Sequence, residues 1–493
     1  MSEQCVTPWD RATTVFRIDL SILTRLVPLE MVRDVLEQAR VVSRTRRTSA
    51  VLGMYLVMAL TLFPEVSTVG VFEKLVGVWG RPGAGIPSRA SLKERLARLG
   101  VTPFQELFAR PRSAGAQVPR AMWRGLLLCA RDGTTLRAPD SPANVEAFGK
   151  PGNQHGKVGF PLIRVLVLVA CGSRALIDAA VDASTVGENP LAGRLLGSLK
   201  RGMLLLADRN FLGCVLWCRC VGTEAELMWR IKKNVRLEII RVLPDGSALA
   251  WWPRPSSVRK ADRAGLPDRV LVRVISGWIT VIDADGVRRS EQYRLLTTLL
   301  DHELHTAGDL VRLYGHRWQV ELMIKGLKCV QGAARLRSKT PDRALQETWA
   351  WLCTHQLLRL EAANAAEDAA GPGPANTAQI SFTSLVQRFR DAVIYTGRNR
   401  GSADQTLSEL RHATREDVTP IDTRVRVYDR VGKCPVSKFP SKKSHHGGRI
   451  VAYEYSIDPA TGPTATAPQT ATTTATTSAN ANQTHPEPVK INS

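Results

Sequence analysis

Between residues 126 and 231, short apolar runs alternate with polar breaks in a way that few folds can accommodate. Residues 126–130 form an apolar run that stops at Arg131-Asp132-Gly133. Residues 161–171 and 175–181 are two further strand-like runs, joined by Gly172-Ser173, a hairpin signal. A helical stretch over 190–199 leads to the apolar run 203–207, which stops at Asp208. A helix over 211–221 and a strand over 226–231 follow. A hairpin followed by strand–helix alternation calls for an α/β fold, a mixed sheet with crossover helices.

The flanking segments read differently. Residues 15–112 are helical in pattern, with 27–40 amphipathic and 50–63 apolar enough to lie centrally. Pro87-Ser88 opens a helix with Ser88 as N-cap and Gly100 as its stop. That helix carries Arg89, Lys93 and Arg95, which suit phosphate contacts as well as they suit a plain solvated face. Residues 232–290 are rich in Val and Ile and broken by Pro and Gly, as in a β-rich insertion. Trp251, Trp252 and Trp278 are its core or ligand aromatics. A strand near 293–299 and a helix over 307–328 resume the core. The expected organisation is a helical N-terminal domain (1–120), a first core part (121–231), the insertion (232–290) and a second core part (291–370). A basic C-terminal region (371–450) and a disordered tail (451–493) complete it.

Charge narrows the partner class. The chain of 493 residues has a net charge of +22 and a pI near 10.1. Residues 1–131 hold 19 basic against 10 acidic residues, and residues 380–450 hold 14 against seven. A surplus spread over several segments suits a long polyanion lying across them, such as nucleic acid. Membrane-surface binding would favour one basic amphipathic helix, and no apolar run reaches the length of a membrane span. Nine cysteines without framework spacing indicate reduced thiols in a cytoplasm. Cys214, Cys218 and Cys220 cluster without zinc-site spacing.

At 3.6 residues per turn, Tyr314, Arg317, Glu321, Lys325 and Lys328 share a sector of about 80° on one helix face. A salt-bridged surface helix explains this; so does a carboxylate metal ligand flanked by phosphate-gripping cations. Asp132 and Asp208, each where an apolar run stops, are ordinary turn residues taken singly. Taken with Glu321 they are three carboxylates able to hold two Mg²⁺ ions roughly 3.5–4 Å apart, an arrangement suited to in-line phosphoryl displacement.

These residues carry a resemblance. Asp132-Gly-Thr-Thr, Ala207-Asp208-Arg209-Asn210-Phe211, and the spacing Tyr-x2-Arg-x3-Glu-x6-Lys at Tyr314, Arg317, Glu321 and Lys328 resemble the DDE transposases of the insertion-element-4 family. The likeness spans about residues 15–365 and implies a ribonuclease-H-like core. It also implies Asp132, Asp208 and Glu321 as catalytic metal ligands for Mg²⁺, with Mn²⁺ able to substitute. Tyr314, Arg317 and Lys328 would contact the DNA end, together with Lys325, which the signature does not specify, and Arg209. Trp318 matches a base-stacking position; Tyr293 stands where a Trp is expected, which weakens the case for base flipping. The implied activity is cut-and-paste transposition on terminal inverted repeats by a homodimer in a synaptic complex, in a prokaryotic cytoplasm. A metal-dependent nuclease without strand transfer and a non-catalytic DNA-binding protein are the alternatives.

Overall fold

The computed structural model describes residues 21–41, 47–76, 87–110, 122–153, 156–157, 159–256, 258–263, 265–283, 286–367, 379–398, 403–417 and 450–458. Helices come first: α1 (Ser21–Leu26), α2 (Leu29–Gln38), α3 (Arg47–Leu62), α4 (Thr68–Val76), α5 (Arg89–Arg98) and α6 (Thr102–Ala109). The apolar stretch expected to be central is α3, and Leu52 to Phe63 on it and just beyond are buried. A helix apolar on all sides must be enclosed on all sides. Ser88 caps α5 as expected, its side chain accepting from the Ser91 amide.

The sheet begins with β1 (Met122–Trp123) and β2 (Leu126–Arg137). After α7 (Pro142–Phe148) and the two-residue strands β3 (Gly152–Asn153) and β4 (Gly156–Lys157) come β5 (Leu162–Ala170) and β6 (Leu176–Ala183). Then α8 (Glu188–Arg194), β7 (Met203–Ala207), α9 (Cys214–Val221) and β8 (Glu226–Arg230) alternate as the sequence pattern requires. The strand order is β6-β5-β2-β7-β8, with β6, β5 and β2 antiparallel and β2, β7 and β8 parallel. This is the ribonuclease-H-like arrangement. The Gly172-Ser173 hairpin forms, with Arg174 in the left-handed region at φ 57°.

The β-rich segment does not stand apart as a separate sheet. Strands β9 (Glu238–Val242), β10 (Ala248–Pro253) and β11 (Arg269–Asp283), with the short α10 (Lys260–Arg263) between β10 and β11, join β12 (Arg288–Thr297). Because β12 pairs with β8, they continue the same sheet. A further strand, β13 (Ile450–Ile457), pairs with β11. The disordered tail expected from residue 451 is thus corrected: the chain remains in the sheet through Ile457, because the Gly277–Asp283 stretch of β11 offers its free edge there. Residues 459–493 lie outside the described residues, as do residues 368–378 and 418–449 of the expected basic C-terminal region and its approach.

After the sheet come α11 (Ala307–Tyr314), α12 (Trp318–Lys325), the long α13 (Pro341–Glu367), α14 (Phe382–Arg398) and α15 (Ala403–Glu416). Helix α13 docks the N-terminal helices. Gln346 donates to the carbonyls of Leu96 (3.0 Å) and Gly100 (2.7 Å), and Thr61 to Thr354 (2.8 Å). Strand alternation sorts the two sheet faces. Leu128, Ala130, Leu204 and Leu206 share a core with α11, α12 and the N-terminal helices. Leu127, Cys129, Leu205 and Ala207 share the other with α8, α9 and Trp252.

Candidate active site

The last parallel register pair between β2 and β7 is Ala130 with Leu206. Asp132 and Asp208 each lie two residues further on, so both belong to the face of Ala130 and Leu206, on strands about 4.8 Å apart. Asp208 keeps extended backbone at φ −76° and ψ 162°, which preserves that alternation, and its Oδ1 accepts from the Arg209 amide at 2.6 Å. Asp132 Oδ1 accepts from the Gly133 amide at 2.8 Å. Helix α12, carrying Glu321, lies across β2 on this same face, anchored by Val320 and Met323.

The 307–328 segment departs from the regular helix that the sequence suggests. Its α-helical winding tightens to a 3-10 turn at Gly315–Arg317 and widens to a π turn at Gly326–Gln331. Gly326 permits the latter: a Cβ there would lie 3.0 Å from the Phe382 ring. Four of the five side chains nevertheless turn toward the ends of β2 and β7, and Lys325 turns to solvent. Tyr314 is buried, and its hydroxyl donates to the Ala207 carbonyl at 3.0 Å, bracing the residue before Asp208. Arg317 reaches Glu321 Oε1 at 2.8 Å, Lys328 Nζ donates to Thr134 Oγ1 at 3.1 Å, and Lys325 is exposed. π turns recur at functional sites because they re-aim side chains within a helix.

Arg317 is the electrostatic centre of the cleft. Burial works against its charge, yet Tyr314, Glu321 and Asp208 more than offset this and raise its pKa. Burial pushes the Asp132 carboxyl up to about 6; Glu321 and Glu188 add to the rise, while Arg317 and the Gly133 amide oppose it. The cleft thus gathers more carboxylate charge than one guanidinium relieves, and its donors are all oxygen, the chemistry a hard divalent cation prefers. Among the described residues, no three His, Cys, Asp or Glu side chains approach closely enough to form a ready metal cage. Backbone amides hold the two aspartates, and Arg317 holds Glu321.

Four features escape the sequence pattern. Thr134 receives Lys328. Glu188 lies against Gly133, where a Cβ would collide with its Oε1 and sit 2.8 Å from its Cδ, and it pairs with Arg164 at 3.1 Å. Buried Arg131 stacks between Phe211 (4.7 Å) and Trp229 (4.4 Å), beneath the Asp208 turn. Ala207 supplies a carbonyl rather than a side chain. The Gly after Asp132 signals the Glu188 contact, since it marks a close approach; Thr134 and Ala207 lie inside the quoted motifs, but their partners do not show there. Of the remaining candidates, Trp318 is half-buried and Arg209 exposed. Tyr293 is packed edge-on against Tyr314 at 5.8 Å, with the Arg230 guanidinium 4.1 Å over its ring. On α5, Arg89 and Lys93 are exposed, and Arg95 donates to Ser91 Oγ at 3.4 Å.

The chain is similar to known proteins over most of its length. The transposase DDE domain family matches residues 123–357, and the insertion element 4 transposase N-terminal family matches residues 17–109. Transposase InsG for insertion sequence element IS4, of Escherichia coli (strain K12), is 28% identical over 371 residues, covering 74% of this chain and 79% of the relative. A piggyBac transposase synaptic complex with hairpin DNA, solved by cryo-EM, shows a looser likeness. Its TM-score is 0.39 at 10% identity, covering 83% of this chain and 87% of that one. With one family match over the N-terminal helices and a second, later in the chain, over the sheet, the chain belongs to the insertion-element-4 family of DDE transposases, enzymes that act on DNA.

Proposed function

We propose that this transposase cleaves double-stranded DNA at the terminal inverted repeats of a mobile element and joins the freed ends to target DNA. The observation that carries the reading is the placement of Asp132 on β2 and of Asp208 just past the end of the adjacent parallel strand β7, with Glu321 on the helix that crosses the same face. Those three carboxylates would hold Mg²⁺, or Mn²⁺ in its place. A divalent cation there supplies an activated water or 3′-hydroxyl and stabilises the leaving oxygen. The chain's own groups do the rest. Arg317 holds Glu321 in place and offers its remaining guanidinium donors to a phosphate. Tyr314 fixes the Ala207–Asp208 turn, which makes it a positioning residue. Lys328, tied to β2 through Thr134, and exposed Lys325 supply positive charge beside the cleft. A homodimer bringing two ends together is part of the proposal.

The test is cleavage and joining on end-containing DNA with and without Mg²⁺. Metal-dependent cleavage followed by strand transfer supports the reading. Cleavage without joining would make the chain a nuclease, and binding without either would make it a DNA-binding protein.

A further inference from the structure

On the sheet face opposite α12, a trough of about 1110 Å³ runs between the core helices and the outer strands. It is framed by the starts of α8 and α9, the β8–β9 connection and the loop after β10. Its volume exceeds the roughly 300–1,000 Å³ typical of small-molecule pockets. Five basic residues line it, namely Arg219, Lys232, Arg236, Arg254 and Arg259, against two acids. One of those acids, Asp262, is neutralised by Arg259 at 2.8 Å and approached by Arg219 at 3.9 Å. Arg254 is paired with Asp268 at 2.5 Å. Lys232 and Arg236 are exposed, and among the described residues no carboxylate is paired with either.

One end of the trough lies at the strand ends that carry the carboxylates, on the opposite face of the sheet. Leu212-Gly213-Cys214, which line it, follow directly on Asp208-Arg209-Asn210-Phe211. Asn189-Pro190, which also line it, follow Glu188, whose carboxylate rests against Gly133 next to Asp132. A polyanion that rounds the sheet from the carboxylate end therefore meets two exposed cations along this trough, Lys232 and Arg236, on the β8–β9 connection. We propose that this trough is a track for the phosphodiester backbone of DNA leaving the carboxylate cleft, with Lys232 and Arg236 as its phosphate contacts. This rests on the reading that the carboxylates act on DNA.

The experiment measures binding of the full chain to an end-containing duplex across a salt series, beside Mg²⁺-dependent cleavage by the wild type. Lys232→Glu with Arg236→Glu is compared with a control pair, Lys200→Glu with Arg201→Glu. The control residues are exposed and precede β7, at the end of that strand away from Asp208. Both pairs change the net charge equally, so the general field of the protein cancels. The trough pair should reduce the slope of log affinity against log salt by about 2, at roughly 0.9 per phosphate, and weaken binding tenfold or more beyond the control. Lys232→Ala with Arg236→Ala should give the same drop in slope, which guards against a folding artefact of charge reversal. Equal slopes in trough and control variants, with a wild type that binds and cuts, would overturn the track alone. A wild type that neither binds nor cuts DNA would overturn both the track and the reading beneath it.

Discussion

Two Arg–Glu pairs, each four residues apart on a helix, meet different fates in this molecule. Glu94 and Arg98 on α5 are 2.5 Å apart with side chains 65% and 67% exposed. Arg317 and Glu321 are 2.8 Å apart with side chains 13% and 18% exposed. The first is a solvated pair worth a few tenths of a kcal/mol, about 0.3–0.5 by comparison with similar helix pairs. The second sits where water screens little, with Asp132 and Asp208 within its electrostatic reach. Spacing on a helix thus reveals that two charges meet; surroundings decide whether the meeting is functional.

Neutralising the acid in each pair should separate them most. Glu321→Gln is expected to lower Mg²⁺-dependent DNA cleavage by about a thousandfold or more, because metal-ion stabilisation is worth several kcal/mol and each 1.4 is tenfold. Cleavage within a few-fold of wild type would remove Glu321 from the site. Arg273 and Asp245 offer a buried pair of another kind, 2.5 Å apart with Arg273 fully buried. Asp245→Ala should cost about 3–5 kcal/mol of stability, read from thermal or urea melts. Burial raises the Asp245 carboxyl, but the Ser247 hydroxyl, the Ala307 and Ser247 amides and Arg273 outweigh it and hold its pKa below 3.8. The contribution is therefore complete above the unfolded-state pKa and lost as pH falls through the lower folded one. The gap between wild type and variant should close below about pH 4; a gap that widened in acid would contradict this account of the pair.

Arg317→Ala should cost less, about 1–3 kcal/mol of stability, because it leaves Glu321 largely buried without its partner. Added Mg²⁺ should restore part of that loss in the variant by taking over the role of the guanidinium. Melts identical with and without Mg²⁺ would count against a cation site there. Glu94→Gln should change stability by less than about 0.5 kcal/mol and leave cleavage unaltered.

Much of the core was legible because its signals are local. The apolar runs, the Gly172-Ser173 hairpin and the Ser88 cap each depend on a few adjacent residues, and each forms as expected. Asp132 and Asp208 could be marked as strand-end acids, but their shared face follows from the Ala130–Leu206 register, which two separate runs cannot announce. The 3-10 and π turns around α12 do not show in the apolar spacing, and the residue packed against Gly326 where the π turn begins, Phe382, lies more than 50 positions downstream. The sequence periodicity therefore grouped these side chains without showing the turns between them. Strand β13 was obscured for a similar reason: eight residues near a low-complexity tail become a strand only because β11 is long enough to receive them. Tyr314 was legible as a site residue but not in its orientation, since its partner is a backbone carbonyl 107 positions away.

The central claim is that Asp132, Asp208 and Glu321 form one divalent-cation site to which the α5 pair does not belong. Mn²⁺ binding followed by electron paramagnetic resonance tests it most directly, since it requires neither DNA nor turnover. The wild type and Glu94→Gln should show the same bound Mn²⁺, and Asp132→Asn, Asp208→Asn and Glu321→Gln should each lose it. Undiminished Mn²⁺ binding in the Glu321 variant, with the aspartate variants deficient, would contradict the three-carboxylate site.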